Sequence, residues 1–114
     1  MKHYETIFIL NPVLSDGRVK EAVKRYENLI QSNAAKIVAS EYWGLKKLAY
    51  PIQRKKTGFY HLFEFQTENG DLLSALELQL KRDERVMRFL TVVLDKHAIK
   101  WAIKRRERLT IQEN

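Results

Sequence analysis

Val19, Ala22, Val23, Tyr26, Leu29 and Ile30 fall at i, i+3, i+4, i+7, i+10 and i+11, which is one face of an α-helix and no face of a strand. Ser15-Asp16-Gly17 supplies a cap before this run, and Ser32-Asn33 closes it. A helix with so broad an apolar stripe must bury it against another layer. The flanking segments supply that layer. Residues 4–10 are β-branched and aromatic, apolar on both parities near their end, and stop at Asn11-Pro12, as a central strand does.

Residues 36–50 read as a long strand, bent or bulged near Gly44. Pro51 cannot donate to a ladder, which points to an edge position. Gln53 to Gly58 form a polar, basic turn, and Phe59 to Gln66 a third strand that completes a hairpin. Asn69-Gly70-Asp71 caps a second helix with Leu72, Leu73, Leu76 and Leu80 on one side and Lys81 and Arg82 in its last turn. Val86 to Leu94 form a fourth strand whose facing stays ambiguous, since both parities are largely apolar. The order β-α-β-β-α-β predicts an α+β domain over residues 1–94. Its expected form is ferredoxin-like: a four-stranded antiparallel sheet with both helices on one face and the other face open. Residues 95–114 form a basic tail. Asp95 could cap a helix there, but the apolar stripe is short, which favours a disordered segment that orders on a partner.

At 114 residues the chain is one domain, and its 45% hydrophobic residues suffice for a core. The absence of cysteine excludes disulfides, thiolate metal sites and a cysteine nucleophile. His3, His61 and His97 have no metal-ligand spacing, and His61 and Glu64, three apart on a strand, point to opposite faces. The four glycines are isolated, so no phosphate loop or nucleophile elbow exists. These features predict no catalytic residue, cofactor, metal or small-molecule substrate. No signal-type or membrane-spanning run is present, so a cytoplasmic protein without a membrane partner is expected.

Twenty-one Lys and Arg against 14 acidic residues give a net charge of +7, which favours a polyanionic partner. The cations cluster at Lys46-Lys47 with Arg54-Lys55-Lys56, at Lys81 to Arg88, and in the tail. Ile7-Phe8-Ile9-Leu10-Asn11 and Gly58-Phe59-Tyr60-His61-Leu62-Phe63 loosely resemble the two signatures of an RNA-recognition motif, although such aromatics are usually core. Trp43 and Tyr50 are large amphipathic residues of the kind interfaces favour, on an edge strand with Leu45 and Lys46 between them.

The opening Met1-x-x-Tyr4-Glu5, then Asn11-Pro12, resembles the bacterial small-subunit ribosomal protein S-six family. So does the block Trp43-Gly44-Leu45-Lys46-Lys47-Leu48-Ala49-Tyr50-Pro51-Ile52 followed by Gly58-Phe59-Tyr60, and so do Arg82-Asp83 and the last strand. The resemblance covers residues 1–94 and implies a ribosome-associated structural protein with a ferredoxin-like fold. It also implies two partners: the central domain of small-subunit ribosomal RNA, and ribosomal protein S-eighteen on Trp43, Leu45, Lys46 and Tyr50. The expected RNA-binding residues are Lys2 and Tyr4, Lys55 and Lys56, and Arg82, Arg85 and Arg88. The competing readings on this topology are an acylphosphatase-like enzyme, which would need an arginine-bearing phosphate cradle after the first strand, and a free RNA-recognition module.

Overall fold

The computed structural model describes residues 2–33 and 35–113, with side-chain surroundings given as far as Arg105. The elements are β1 (Lys2–Leu10), α1 (Asp16–Ser32), β2 (Lys36–Ile52), β3 (Lys55–Thr67), α2 (Gly70–Arg82), β4 (Val86–Leu94) and α3 (Lys96–Glu113). The four strands form one sheet in the order β2-β3-β1-β4, antiparallel throughout. β1 is therefore internal, and β2 is an edge as Pro51 requires.

The helix ends follow their capping residues. Ser15 Oγ accepts from the Arg18 amide at 3.4 Å, and Asn69 Oδ1 from the Asp71 amide at 3.0 Å. α1 buries Val19, Ala22, Tyr26 and Ile30, while Leu29 and Val23 are half-buried at the margin of the core. α2 buries Leu72, Leu76 and Leu80, each burial being worth about 1.5–3 kcal/mol. Both stripes pack on the sheet face formed by Tyr4 and Phe8 of β1 with Phe63 and Phe65 of β3. Phe8 is the hub: its ring lies 5.3 Å from Tyr26, 5.6 Å from His61 and 6.0 Å from Phe63, centroid to centroid.

The second sheet face differs from expectation. It is not open, because the tail is helical and lies across it. Asp95 caps α3, accepting from the Ala98 amide at 2.7 Å. Ala102 is buried, and Arg105 Nη2 reaches Glu41 at 3.0 Å and Glu5 at 3.9 Å on this face. The Arg105 guanidinium also lies over the rings of Trp43 and Trp101, at 5.9 and 5.4 Å. What the short aliphatic stripe lacked, this one arginine supplies by pairing with two carboxylates and two indoles. The side chains of Arg106 and Arg108, two of the tail cations, lie outside the described residues. β4 is apolar on both parities, yet α3 leaves its own side of this strand largely uncovered: Leu90 is 62% and Val92 38% exposed. Phe89 packs against the α1/α2 core, and Leu90 and Val92 share the α3 side with Ile7 and Glu5.

Two irregularities shape β2 and its hairpin. The register shifts between Tyr42 and Gly44, and Gly44 has φ of 78°, a conformation that glycine adopts without strain. At the hairpin tip Gln53 and Arg54 have φ of 50° and 65°, as a type I′ turn requires, yet neither is glycine or asparagine. Replacing the pair by Asn-Gly is expected to raise stability by about 1 kcal/mol, read from the urea midpoint, because it relieves left-handed strain at two side-chain-bearing positions.

Candidate nucleic-acid and partner interfaces

Strand pairing decides which cations share a surface. Leu10 pairs with Phe59 on one side and Val86 on the other, so the β2–β3 hairpin and the start of β4 lie at the same end of the sheet. They are separated by two strand spacings, about 10 Å. The Asn11 amide donates to the Arg85 carbonyl at 2.8 Å and ties the α2–β4 turn to this end. Lys46, Lys47, Arg54, Lys56, Lys81, Arg82 and Arg88 are exposed, and Lys55 half-exposed. Among the described residues none of these forms an ion pair. Together they make one basic end of the domain.

Lys2 does not join it. It pairs with Thr67 at the opposite end of β1, roughly 26 Å away at about 3.3 Å per residue. Tyr4 is corrected as an RNA-stacking residue: it is buried in the α1/α2 core and stacks on Phe65 at 5.8 Å, because its parity on β1 is that of Phe8.

Arg85 is likewise corrected as a free phosphate ligand. Its guanidinium donates from Nε and Nη2 to the two carboxylate oxygens of Asp83 at 3.0 Å, and its amide donates to Oδ1 at 2.9 Å. Tyr26 Oη donates to Asp83 Oδ2 at 2.6 Å. Burial opposes the Asp83 charge, but the bonds from Arg85 and Tyr26 outweigh it and hold the carboxyl down at about 2. The same bond to Asp83 raises the Arg85 pKa, and burial followed by Asp83 pushes the Tyr26 phenol up. This cluster fixes the α2–β4 turn, with Arg82 at the end of the helix before it and Arg88 on the strand after it. The aspartate two residues before Arg85 was the signal for its capture.

The four partner-site residues of β2 do not share one face. Trp43 and Lys46 lie on the α3 side, where Trp43 stacks on Tyr60 at 6.3 Å and Lys46 sits 5.4 Å over the indole. Trp43 is thus half-buried within its own chain, whereas Leu45 and Tyr50 are 56% and 75% exposed. Two polar groupings on the α3 side had no sequence signal, being far apart in the chain: Arg105 with Glu5 and Glu41, and a buried His3–Glu64 pair.

The loop after β1 is not a phosphate cradle. The Val13 amide donates to Asn11 Oδ1 at 3.1 Å and the Leu14 amide to the Asn11 carbonyl at 3.2 Å, so these two donors are spent within the loop. Among the described residues no cluster of three potential metal ligands occurs, and no helix is long and apolar enough to cross a membrane.

Residues 3–93 match the family described as Ribosomal protein S6. The chain is 62% identical over 108 residues to the small ribosomal subunit protein bS6 of Christiangramia forsetii, covering 95% of this chain and 96% of that one. It is 56% identical over 106 residues to the bS6 of Bacteroides fragilis, covering 93% and 92%. The crystal structure of the 30S ribosomal protein S6 from Thermotoga maritima superposes with a TM-score of 0.78 over 96% of each chain, at 24% identity, a likeness of fold.

Proposed function

The chain belongs to the ribosomal protein S6 family of the small ribosomal subunit, a structural family and not an enzyme, and from that premise we propose that it binds the central domain of small-subunit ribosomal RNA beside ribosomal protein S-eighteen. Its place is with the ribosome in the cytoplasm. We read the frame as ferredoxin-like with a third helix added on the second face. The observation that carries the RNA reading is the gathering of unpaired cations from the β2–β3 hairpin and the α2–β4 turn at one end of the sheet. Such a surface neutralises phosphates and follows the shape of an RNA backbone, with few contacts to bases. Arg82 and Arg88 suit phosphate through paired donors, and Lys55 and Lys56 act as point charges on a projecting hairpin. Lys2 adds a contact only if the RNA reaches the far end of β1.

β2, an edge with exposed Leu45 and Tyr50, is the surface proposed for S-eighteen, with Trp43 and Lys46 supporting it from the α3 side. A free RNA-recognition module fits less well. The sheet face it would use for stacking is crossed by α3, and Tyr60 on that face is already stacked on Trp43.

The RNA reading is tested with a transcript of the central domain, titrated at several salt concentrations. Lys55→Ala, Lys56→Ala and Arg82→Ala combined should weaken binding and flatten the plot of log affinity against log salt by about 0.7–0.9 per lost contact. The same triple variant with affinity and slope unchanged would place the RNA elsewhere.

A further inference from the structure

β4 ends the sheet on the side opposite β2, and no strand pairs with its outer backbone groups. The two edges are guarded differently. β2 carries Pro51, breaks of register at Ile37/Ala39 and Tyr42/Gly44, and the cations Lys46 and Lys47, all features that discourage a further strand. β4 has one break of register, at Met87, and one cation, Arg88, both at its start. From Phe89 to Leu94 it has no charge, no proline and no irregularity.

The side chains along this edge are apolar and open on both faces. Leu90 and Val92 are exposed on the α3 side, and Val93 is 65% exposed on the α2 side. Leu78 of α2, also exposed, lines a shallow groove with Phe89 on that side. α3 does not shield the edge, since it leads away from β4 toward Glu5 of β1 and Glu41 of β2. A contiguous apolar edge of this kind is a template for another strand.

The residues of the edge say which strand. Laid antiparallel on a second copy with Thr91 opposite Thr91, the uninterrupted run 88–94 pairs with itself from end to end. Leu90 then faces Val92 of the second copy on the α3 side, and Phe89 faces Val93 of the second copy on the α2 side. Symmetry makes each contact twice, and aromatic or aliphatic residues opposite β-branched ones are favourable cross-strand pairs. Arg88 falls opposite Leu94 and beside Asp95 of the second copy, so a cation meets a carboxylate at both ends of the joint. Arg88 forms no ion pair among the described residues, and Asp95 caps α3 through Oδ1 alone. We propose that β4 is a homodimer edge, through which two copies of this chain join antiparallel over residues 88–94 into one eight-stranded sheet. Each copy has one such edge, so the pairing closes at two and leaves the guarded β2 edges outermost.

Sedimentation velocity of the full chain from about 1 µM to about 1 mM should show a monomer–dimer equilibrium and no larger species. Leu90→Lys and Val93→Lys, both at exposed positions, should each weaken the dimer about tenfold or more while thermal unfolding stays unchanged. The chain has no cysteine, so single cysteines report the register. On oxidation with copper phenanthroline, Thr91→Cys should form a disulfide between copies, because directly opposed residues lie within its reach. Leu90→Cys should not, because its two copies would stand diagonally, about 7–8 Å apart. A chain that stays monomeric throughout refutes the inference. So does a dimer that both lysine variants leave intact, since the copies then meet elsewhere. Cross-linking of Leu90→Cys in place of Thr91→Cys overturns the register on which the pairing was argued. Open-ended growth instead of dimers overturns the closed joint. If the free chain is monomeric and Val93→Lys weakens binding of S-eighteen instead, β4 is the edge for that protein, and both the second copy and the assignment of β2 fall.

Discussion

Phe8→Ala is expected to lower the free energy of unfolding by about 3–5 kcal/mol, whereas Leu29→Ala should cost only about 1–2 kcal/mol. Phe8 is fully buried and contacts rings from α1 and β3 at once, so its removal opens a void bounded by three elements. Neither β1 nor β3 can move to close that void without breaking the ladder that pairs Phe8 with His61 and Phe89. Leu29 belongs to the same apolar stripe as Tyr26 and Ile30 but stands at its margin, half in solvent. Small domains have only about 5–15 kcal/mol of stability in total, so the first variant approaches the limit of folding at 37 °C. Urea denaturation of both variants, with m-values compared, checks the ranking. Equal losses would mean that the core is centred elsewhere.

Asp83→Ala is expected to cost about 2–4 kcal/mol at neutral pH, because it leaves the Arg85 guanidinium and the Tyr26 phenol without their shared acceptor. The loss stays below that of a fully buried pair, since Arg85 retains Glu21 at 3.8 Å and the Tyr26 hydroxyl the Gln79 carbonyl at 3.5 Å. The same carboxylate makes stability depend on acid. Its folded pKa of about 2 lies below the ordinary 3.8, so its contribution is fully present above the ordinary value and lost as pH falls through about 2. Between about pH 4.5 and pH 2 the wild type should lose about 2 kcal/mol more than Asp83→Ala does. Parallel pH profiles of the two proteins would refute the assignment.

The order of the first six elements was legible because α1 and α2 carry helical stripes and the strands are β-branched or aromatic runs bounded by turn residues, and the edge position of β2 was legible from Pro51. The facing of β4 was not, because Leu90, Val92 and Val93 are apolar yet exposed, which hides in the sequence the alternation that burial shows in the structure. The tail was misjudged on Ile99 and Ile103 alone. What fastens α3 is Ala102 with Arg105, whose partners Glu5 and Glu41 stand on two different strands far away in sequence. At the basic end, residue type identified the cations but not their freedom. Arg82 and Arg85 look alike in the chain, and only the turn that brings Asp83 onto Arg85 separates the exposed one from the captured one. Tyr4 was undecidable between core and surface until its register with Phe65 was known.

The position of β1 between β3 and β4 bears on how the chain reaches this structure. The first strand to be synthesised is flanked by the third and the last, so neither of its ladders can form from neighbouring segments. Folds dominated by such distant pairings close slowly, because the entropy of long loops is lost before the contacts form. At about 5–20 residues per second, translation delivers β4 roughly 4–17 s after β1. For that interval Ile7-Phe8-Ile9-Leu10 has a bare edge on the side that β4 will take, the kind of edge that recruits foreign strands. The nascent chain is therefore most open to mispairing and to chaperone capture at its own beginning, and that exposure ends only when the Val86–Leu94 segment arrives.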